Sequence, residues 1–170
     1  MILTDANSKR ELRFLGKDGK SINLYIWENV SQVRGIVQVF HGMSEHALRY
    51  EHFALYLNNN GFIVYANDHR GHGKTASSIN ELGVIGKDGF NKIVEDEYAL
   101  HKIIQEKYPD KPIYVLGHSF GSFVAQDYIT HFGEEISGVI LSGSAMQKGI
   151  DITVGRCLAF IQCKLFDEDK

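Results

Sequence analysis

Residues Ile113 to Val124 read IYVLGHSFGSFV: a short apolar run, then Gly117-His118-Ser119-Phe120-Gly121, then apolar residues at helical spacing. G-x-S-x-G between a buried strand and a helix is the pattern of a nucleophile elbow, a turn so sharp that its central Ser is held in a strained conformation. Ser119 occupies that place. Gly117 and Gly121 meet a steric need, because side chains two positions either side of the Ser would collide where strand and helix cross. Phe120, Phe123, Val124, Tyr128, Ile129 and Phe132 then recur at three- and four-residue steps, an amphipathic helix that Gly133 is placed to close as a C-terminal cap. A Ser in a Gly-rich turn without chemistry is the competing reading of the pentapeptide; the strand before it and the helix after it favour the elbow.

Upstream, the same alternation of strand and helix repeats. Glu11 to Leu15 and Ser21 to Glu28 flank Gly16-Lys17-Asp18-Gly19-Lys20 and read as a β-hairpin, with Ile22, Leu24 and Ile26 on one face. Gly35 to Phe40 (GIVQVF) is nearly all apolar, as a strand covered on both faces should be. The loop His41-Gly42-Met43-Ser44-Glu45-His46 follows. A helix is predicted from about Arg49 to Asn59, with His52, Phe53, Leu55 and Tyr56 inward and Asn58-Asn59-Asn60-Gly61 stopping it. Phe62 to Ala66 is the next strand, and the loop Asp68-His69-Arg70-Gly71-His72-Gly73-Lys74 comes after it. A polar connection leads to a helix from about Phe90 to Lys107, with Phe90, Ile93, Val94, His101 and Ile104 on its inner stripe and Pro109 and Pro112 beyond its end. Past the elbow helix, Gly138 to Leu141 (GVIL) is another short apolar strand.

Strands alternating with helices predict βαβ units, an α/β fold with a mostly parallel sheet and helices on both faces, and ligand chemistry at the carboxyl ends of the strands. The loops His41 to His46, Asp68 to Gly73 and Gly117 to Gly121 each follow a strand directly, so they converge on one edge of the sheet. No repeat or low-complexity stretch interrupts the pattern. One core is expected over residues 1–147 and a separate segment over 148–170.

With 170 residues, 44% of them hydrophobic, the chain has material for a buried core. A net charge of −3 and the lack of any Lys/Arg run argue against a nucleic-acid partner. Cys157 and Cys163 have no framework spacing, and Met1 to Arg10 is polar where a signal peptide would be apolar; the expectation is a reducing, cytoplasmic setting. Ile150 to Phe166 comes nearest to a membrane-spanning run, but Asp151, Arg156, Gln162 and Lys164 break it up.

Other residues invite competing readings. His41, Glu45, His46 and His52 are of metal-ligating types, yet there is no H-E-x-x-H, so loop-bracing hydrogen bonds are expected and no metal. Gly71-His72-Gly73 lacks the ending of a phosphate loop. His118 flanks Ser119 on the wrong side of the elbow to act as its base and reads as packing or polar support. Glu95, Asp96 and Glu97 read as a solvated helix face.

Three blocks in order, VFHGMSEHALRY from Val39, ANDHRGHGKT from Ala66 and VLGHSFGS from Val115, resemble the α/β-hydrolase fold and, within it, the monoacylglycerol lipase and lysophospholipase group of serine hydrolases. The likeness covers about Glu11 to Ala145. It implies Ser119 as nucleophile and the backbone N–H groups of Met43 and Phe120 as oxyanion hole. It also implies a structural role for the loop after Ala66, with Asp68 and Arg70 fixing it by charge-assisted bonds; a catalytic role for His72 is the rival reading. Met43 lies one residue past the His41-Gly42 turn, and Phe120 opens a helix whose N-terminal amides favour negative charge.

The implied chemistry is acyl transfer without a cofactor: a His accepts the Ser proton, an acid orients the His, and two N–H donors stabilise the oxyanion. In this fold the order along the chain is Ser, then Asp or Glu, then His. Here the chain departs from the family. After Ser119 the only His is His131, about three helical turns away, and Asp151, Asp167 and Asp169 precede no His. The reading is therefore an amino-terminal part of a longer hydrolase, cut before the last strands and most of the cap and inactive by itself. Ile150 to Phe166 is either the start of a lid or an ordinary core helix. The expected substrate is an ester of a single-chain lipid, a monoacylglycerol or lysophospholipid, met through transient contact with a membrane surface. The alternatives are an aminopeptidase, a non-lipid carboxylesterase, or a non-catalytic fragment or binding protein. Missing strands would leave Gly138 to Leu141 as an open edge through which copies associate.

Overall fold

Alternating side chains on a Gly/Asp-punctuated segment produce the first pairing: β1 (Arg10–Leu15) and β2 (Ser21–Trp27) run antiparallel with Phe14 opposite Ile22. The computed structural model describes residues 9–145. The chain continues through β3 (Gly35–Phe40), α1 (Glu51–Asn59), β4 (Phe62–Asn67), α2 (Gly89–Lys107), β5 (Ile113–His118), α3 (Phe120–Phe132) and β6 (Gly138–Ser142). The sheet order is β1-β2-β4-β3-β5-β6. The hairpin joins β4 antiparallel, whereas β4-β3, β3-β5 and β5-β6 are parallel, a pairing that needs crossover connections such as the helices between these strands.

Side-chain alternation divides the core between the two faces of the sheet. Ile22, Leu24 and Ile26 share one face, as expected, packed with Ile36, Ile63 and Tyr65 under Leu100 and Ile104 of α2. Tyr25, Trp27, Val37, Val39, Val64 and Ala66 point to the opposite face, where Ala47 and Ala54 cover them. Phe40 and Val115 meet Ile93 and Val94 of α2 and Val124, Ala125 and Tyr128 of α3.

Three local expectations are corrected. The inner face of α1 is Ala54 and Asn58, while His52, Phe53 and Tyr56 are exposed and Leu55 is half-buried. A 3-10 turn at Ala47–Tyr50 precedes the helix and resets its phase, and small Ala54 lets the helix lie close over Trp27 and Val64. Gly133 is the C-cap of α3 as expected, its N–H donating to Ile129 O, but not in the left-handed conformation that favours glycine; at φ −61° it leads into a 3-10 turn, Gly133–Glu135. Glu95 is exposed, but Asp96 and Glu97 are buried at 2% and 0% exposure, so the acidic run is not a solvated face.

Among the described residues no helix is long and apolar enough to cross a membrane. Among the described residues β6 is also an edge strand, with Val139, Ile140 and Leu141 exposed. The lid-or-core-helix segment from Ile150 to Phe166, the boundary near residue 147 and both cysteines lie outside the described residues.

Candidate active site

The three parallel strands β3, β4 and β5 end on the same edge, and the loops that leave them form the site. At the β5-α3 junction Ser119 has φ 51° and ψ −116°, a conformation costly for a residue with a Cβ, and its side chain is exposed. Its backbone is held from both sides, the N–H donating to Ser142 O at 2.9 Å and the carbonyl accepting from Ser122 Oγ at 2.6 Å. Among the described residues the Ser119 hydroxyl makes no hydrogen bond. The flanking glycines are sterically required: a Cβ on Gly117 would strike the Gly121 carbonyl, and one on Gly121 the carbonyls of Phe40 and His41. This crossing seats the end of β3 under the elbow, and a Cβ on Gly42 would lie 3.3 Å from Ser119 Cβ.

The loop after β3 is braced by side chains. Gly42 N–H donates to Glu45 Oε1, which also accepts from the Tyr50 hydroxyl at 2.9 Å, and Arg49 lies 3.3 Å from Glu45 Oε2. Partial burial opposes ionisation of Glu45, but the Gly42 N–H and Tyr50 outweigh it and hold the carboxyl below its usual range. The backbone N–H groups of Met43 and Phe120 donate to no group among the described residues; Phe120 is the first residue of α3, where helical N–H groups lack intrahelical partners. A shallow depression of about 260 Å³ beside the elbow is lined by Glu45, Arg49, Tyr50 and His118.

His41 and His69 bond reciprocally. The His69 backbone N–H donates to His41 Nε2 at 2.9 Å, and His69 Nε2 lies 3.1 Å from the His41 carbonyl, with ring centroids 4.0 Å apart. Burial, then neighbouring His72, brings the His69 pKa down to about 3, and burial likewise pushes His41 well below its usual value. Burial thus favours the neutral form of both rings.

The loop after β4 acts as a brace, as expected of Asp68 and Arg70. Asp68 accepts from the Ala47 and Lys74 backbone N–H groups and from Asn23. Arg70 makes paired bonds to Asp96 at 2.7 and 2.9 Å and to Asp18 at 2.7 Å, tying the hairpin turn to α2. His72 is buried with Nδ1 2.8 Å from the Arg70 carbonyl. His118 Nδ1 lies 3.3 Å from Ser142 Oγ, in a supporting position. His131 pairs loosely with Asp127 on α3 at 3.8 Å. Among the described residues no group of His, Cys, Asp and Glu is arranged to hold a metal; His41 is buried while His46 and His52 face solvent.

Residues 31–167 match the family described as serine aminopeptidase, S33, an α/β-hydrolase family. The chain belongs to it. Over 141 residues it is 35% identical to the monoacylglycerol lipase of Mycolicibacterium smegmatis, which covers 83% of this chain and 49% of that protein. Against the monoglyceride lipase of Mus musculus the identity is 31% over 150 residues, covering 85% and 48%. Among solved structures, a highly thermostable carboxyl esterase from Bacillus coagulans in complex with glycerol superposes with a TM-score of 0.81 at 38% identity, covering 94% of this chain and 51% of that one. The chain spans about half the length of these relatives.

Sequence reasoning missed Glu97 and Gln38. Gln38 Nε2 donates to Glu97 Oε2 at 2.8 Å, and Glu97 Oε1 lies 3.2 Å from His69 Nδ1, all buried behind the His41 loop. The signal was present in the S33 sequence: Glu97 falls at helical spacing between Ile93 and His101, on the inner stripe.

Proposed function

We propose that this chain carries the nucleophile of a serine hydrolase that cleaves carboxylic esters of single-chain lipids, such as a monoacylglycerol or lysophospholipid, through a Ser119 acyl-enzyme. The observation that carries the reading is Ser119 itself: exposed, at positive φ between β5 and α3, with the Gly42 backbone against its Cβ. The lipases and the esterase among its relatives support the choice of an ester of this class. In the proposed reaction Ser119 Oγ attacks the ester carbonyl carbon and gives its proton to a base. The Met43 and Phe120 N–H groups stabilise the resulting oxyanion; the alcohol leaves with the proton, and water then releases the fatty acid by the same sequence. Contact with a membrane surface would deliver such a substrate, and a cytoplasmic setting fits the same reading.

A base and an orienting acid are needed after Ser119 in this fold, and His131, the only His after it in the sequence, lies at the far end of α3. The 170-residue chain is therefore expected to turn over a nitrophenyl ester negligibly. Ready hydrolysis abolished by Ser119→Ala would show that a base sits elsewhere in the chain. A polypeptide that also supplies the acid and His should hydrolyse monoacylglycerol. The family description favours one rival, an aminopeptidase; release of nitroaniline from an aminoacyl nitroanilide, without ester cleavage, would establish it instead.

A further inference from the structure

Glu97 sits at the middle of α2 with no solvent exposure, and no step of ester cleavage at Ser119 uses it. A carboxyl in such a place is costly unless it is neutral or paired. The atoms around it fix where protons must be. The His41 carbonyl can only accept, so His69 Nε2, 3.1 Å away, carries the ring proton. With the fully buried ring neutral, His69 Nδ1 is a lone pair facing Glu97 Oε1 at 3.2 Å, close enough for a bond although the alignment leaves neither atom hydrogen-bonded. An ionised carboxylate would put two lone pairs face to face, whereas a carboxylic acid can donate across the gap. Gln38 donates to the other oxygen, Oε2, which is left as the carbonyl. His41 Nε2 accepts from the His69 N–H, so its own proton is on Nδ1, 2.8 Å from the Gly42 carbonyl.

The consequence reaches the site. His41-Gly42 lies between this cluster and Ser119: Gly121 abuts the His41 carbonyl, Gly42 abuts Ser119 Cβ, and the His69 ring stands edge-on to Phe120 at 6.1 Å. We propose that Glu97, as a neutral carboxylic acid, is a positioning residue for the His41–Met43 loop: its proton on His69 Nδ1 holds the Nε2–H tautomer that grips the His41 carbonyl and keeps Gly42 and Met43 against Ser119. The consequence for catalysis rests on the reading of Met43 as an oxyanion donor; the proton arrangement does not.

The test uses the 170-residue chain and imidazole nitrogen NMR. His69 should be neutral with its proton on Nε2 from pH 5 to 8. Glu97→Gln, which can donate and accept at the same atoms, should keep that tautomer and the slow exchange of the buried Gly42 amide. Glu97→Met, similar in size but without a donor, should speed Gly42 amide exchange about tenfold or more while the β1-β2 hairpin stays protected. An imidazolium or an Nδ1–H tautomer in the wild type overturns the proposal, as does Glu97→Gln behaving like Glu97→Met, or Glu97→Met leaving Gly42 exchange unchanged. If Glu97→Met does not fold, the wild-type and Glu97→Gln spectra still decide. Failure of the hydrolase reading would register separately, as no phosphonylation of Ser119 in a polypeptide that supplies the acid and His, and would leave these spectra as they are.

Discussion

At Ser119 the backbone carries a strain that no packing requirement explains, since the side chain leaves the fold rather than filling it. In a polypeptide that supplies the acid and His, Ser119→Ala should abolish labelling by a fluorophosphonate while raising stability slightly or leaving it unchanged, read by gel fluorescence and urea unfolding. Gly121 shows the opposite balance. Its φ is ordinary for a helix, but a Cβ would meet the Phe40 and His41 carbonyls, which are backbone and cannot rotate aside. Gly121→Ala should cost about 1–3 kcal/mol in urea unfolding. Arg70 serves two carboxylates, and Asp96 is the one with no other outlet, at 2% exposure. Arg70→Leu should therefore destabilise by about 3–5 kcal/mol, because it leaves that carboxylate buried and unpaired. Asp18, 39% exposed, is held far below the usual carboxylate range by its bonds to Arg70. Its contribution is present above the unfolded pKa of about 4 and is lost as pH falls below it. The stability gap between wild type and Asp18→Asn should thus be small, about 1 kcal/mol or less at pH 7, and should close toward pH 2.

On the scale of elements, α2 does more than cover the sheet, because one turn of it inserts a carboxyl behind the His41 loop. Burial pushes the Glu97 pKa well above its usual value, against the hydrogen bond from Gln38. The groups facing this cluster are His69, His41, His72 and Glu45 from the loops, Asp96 on α2 and Tyr128 on α3. A raised folded pKa means stability that is complete below the unfolded pKa of about 4.3 and is lost as pH rises toward the folded value, by up to about 1.4 kcal/mol per pH unit. Glu97→Gln removes that loss, so its stability relative to wild type should improve as pH rises above about 5; a constant difference would mean Glu97 is ionised in the fold. How much of this could be read in advance depended on which signals are local. The strands and helices were legible because hydrophobic period and Gly/Pro punctuation are written within each segment, and Ser119 was legible because the elbow's steric demands select glycines at fixed offsets. The phase of α1 was not, since the 3-10 turn at Ala47–Tyr50 rotates it by an amount that no periodicity records. The burial of Glu97 was missed through weighting polarity above position. The His41–His69 bonds join loops 28 residues apart, and no local pattern encodes such a pairing.

For the molecule as a whole, the unequal treatment of the two sheet edges is the feature with a consequence. The β1 edge carries charge at Arg10, Glu11 and Arg13, which discourages strand addition. The β6 edge is different: Val139, Ile140 and Leu141 are 36%, 59% and 39% exposed, and among the described residues no strand pairs beyond them. An apolar strand with unpaired backbone groups on one side is a template for another strand, and β6 pairs with β5 in regular register from Gly138 to Ser142. The 170-residue chain should consequently associate with rising concentration in light scattering. Ile140→Lys, which places a charge on that strand without touching the buried core, should shift it toward monomer while leaving its thermal midpoint within a few degrees. A monodisperse wild-type monomer across the concentration range would mean that the edge is covered by a segment of the chain itself, and the lysine variant would then lose stability instead of gaining solubility.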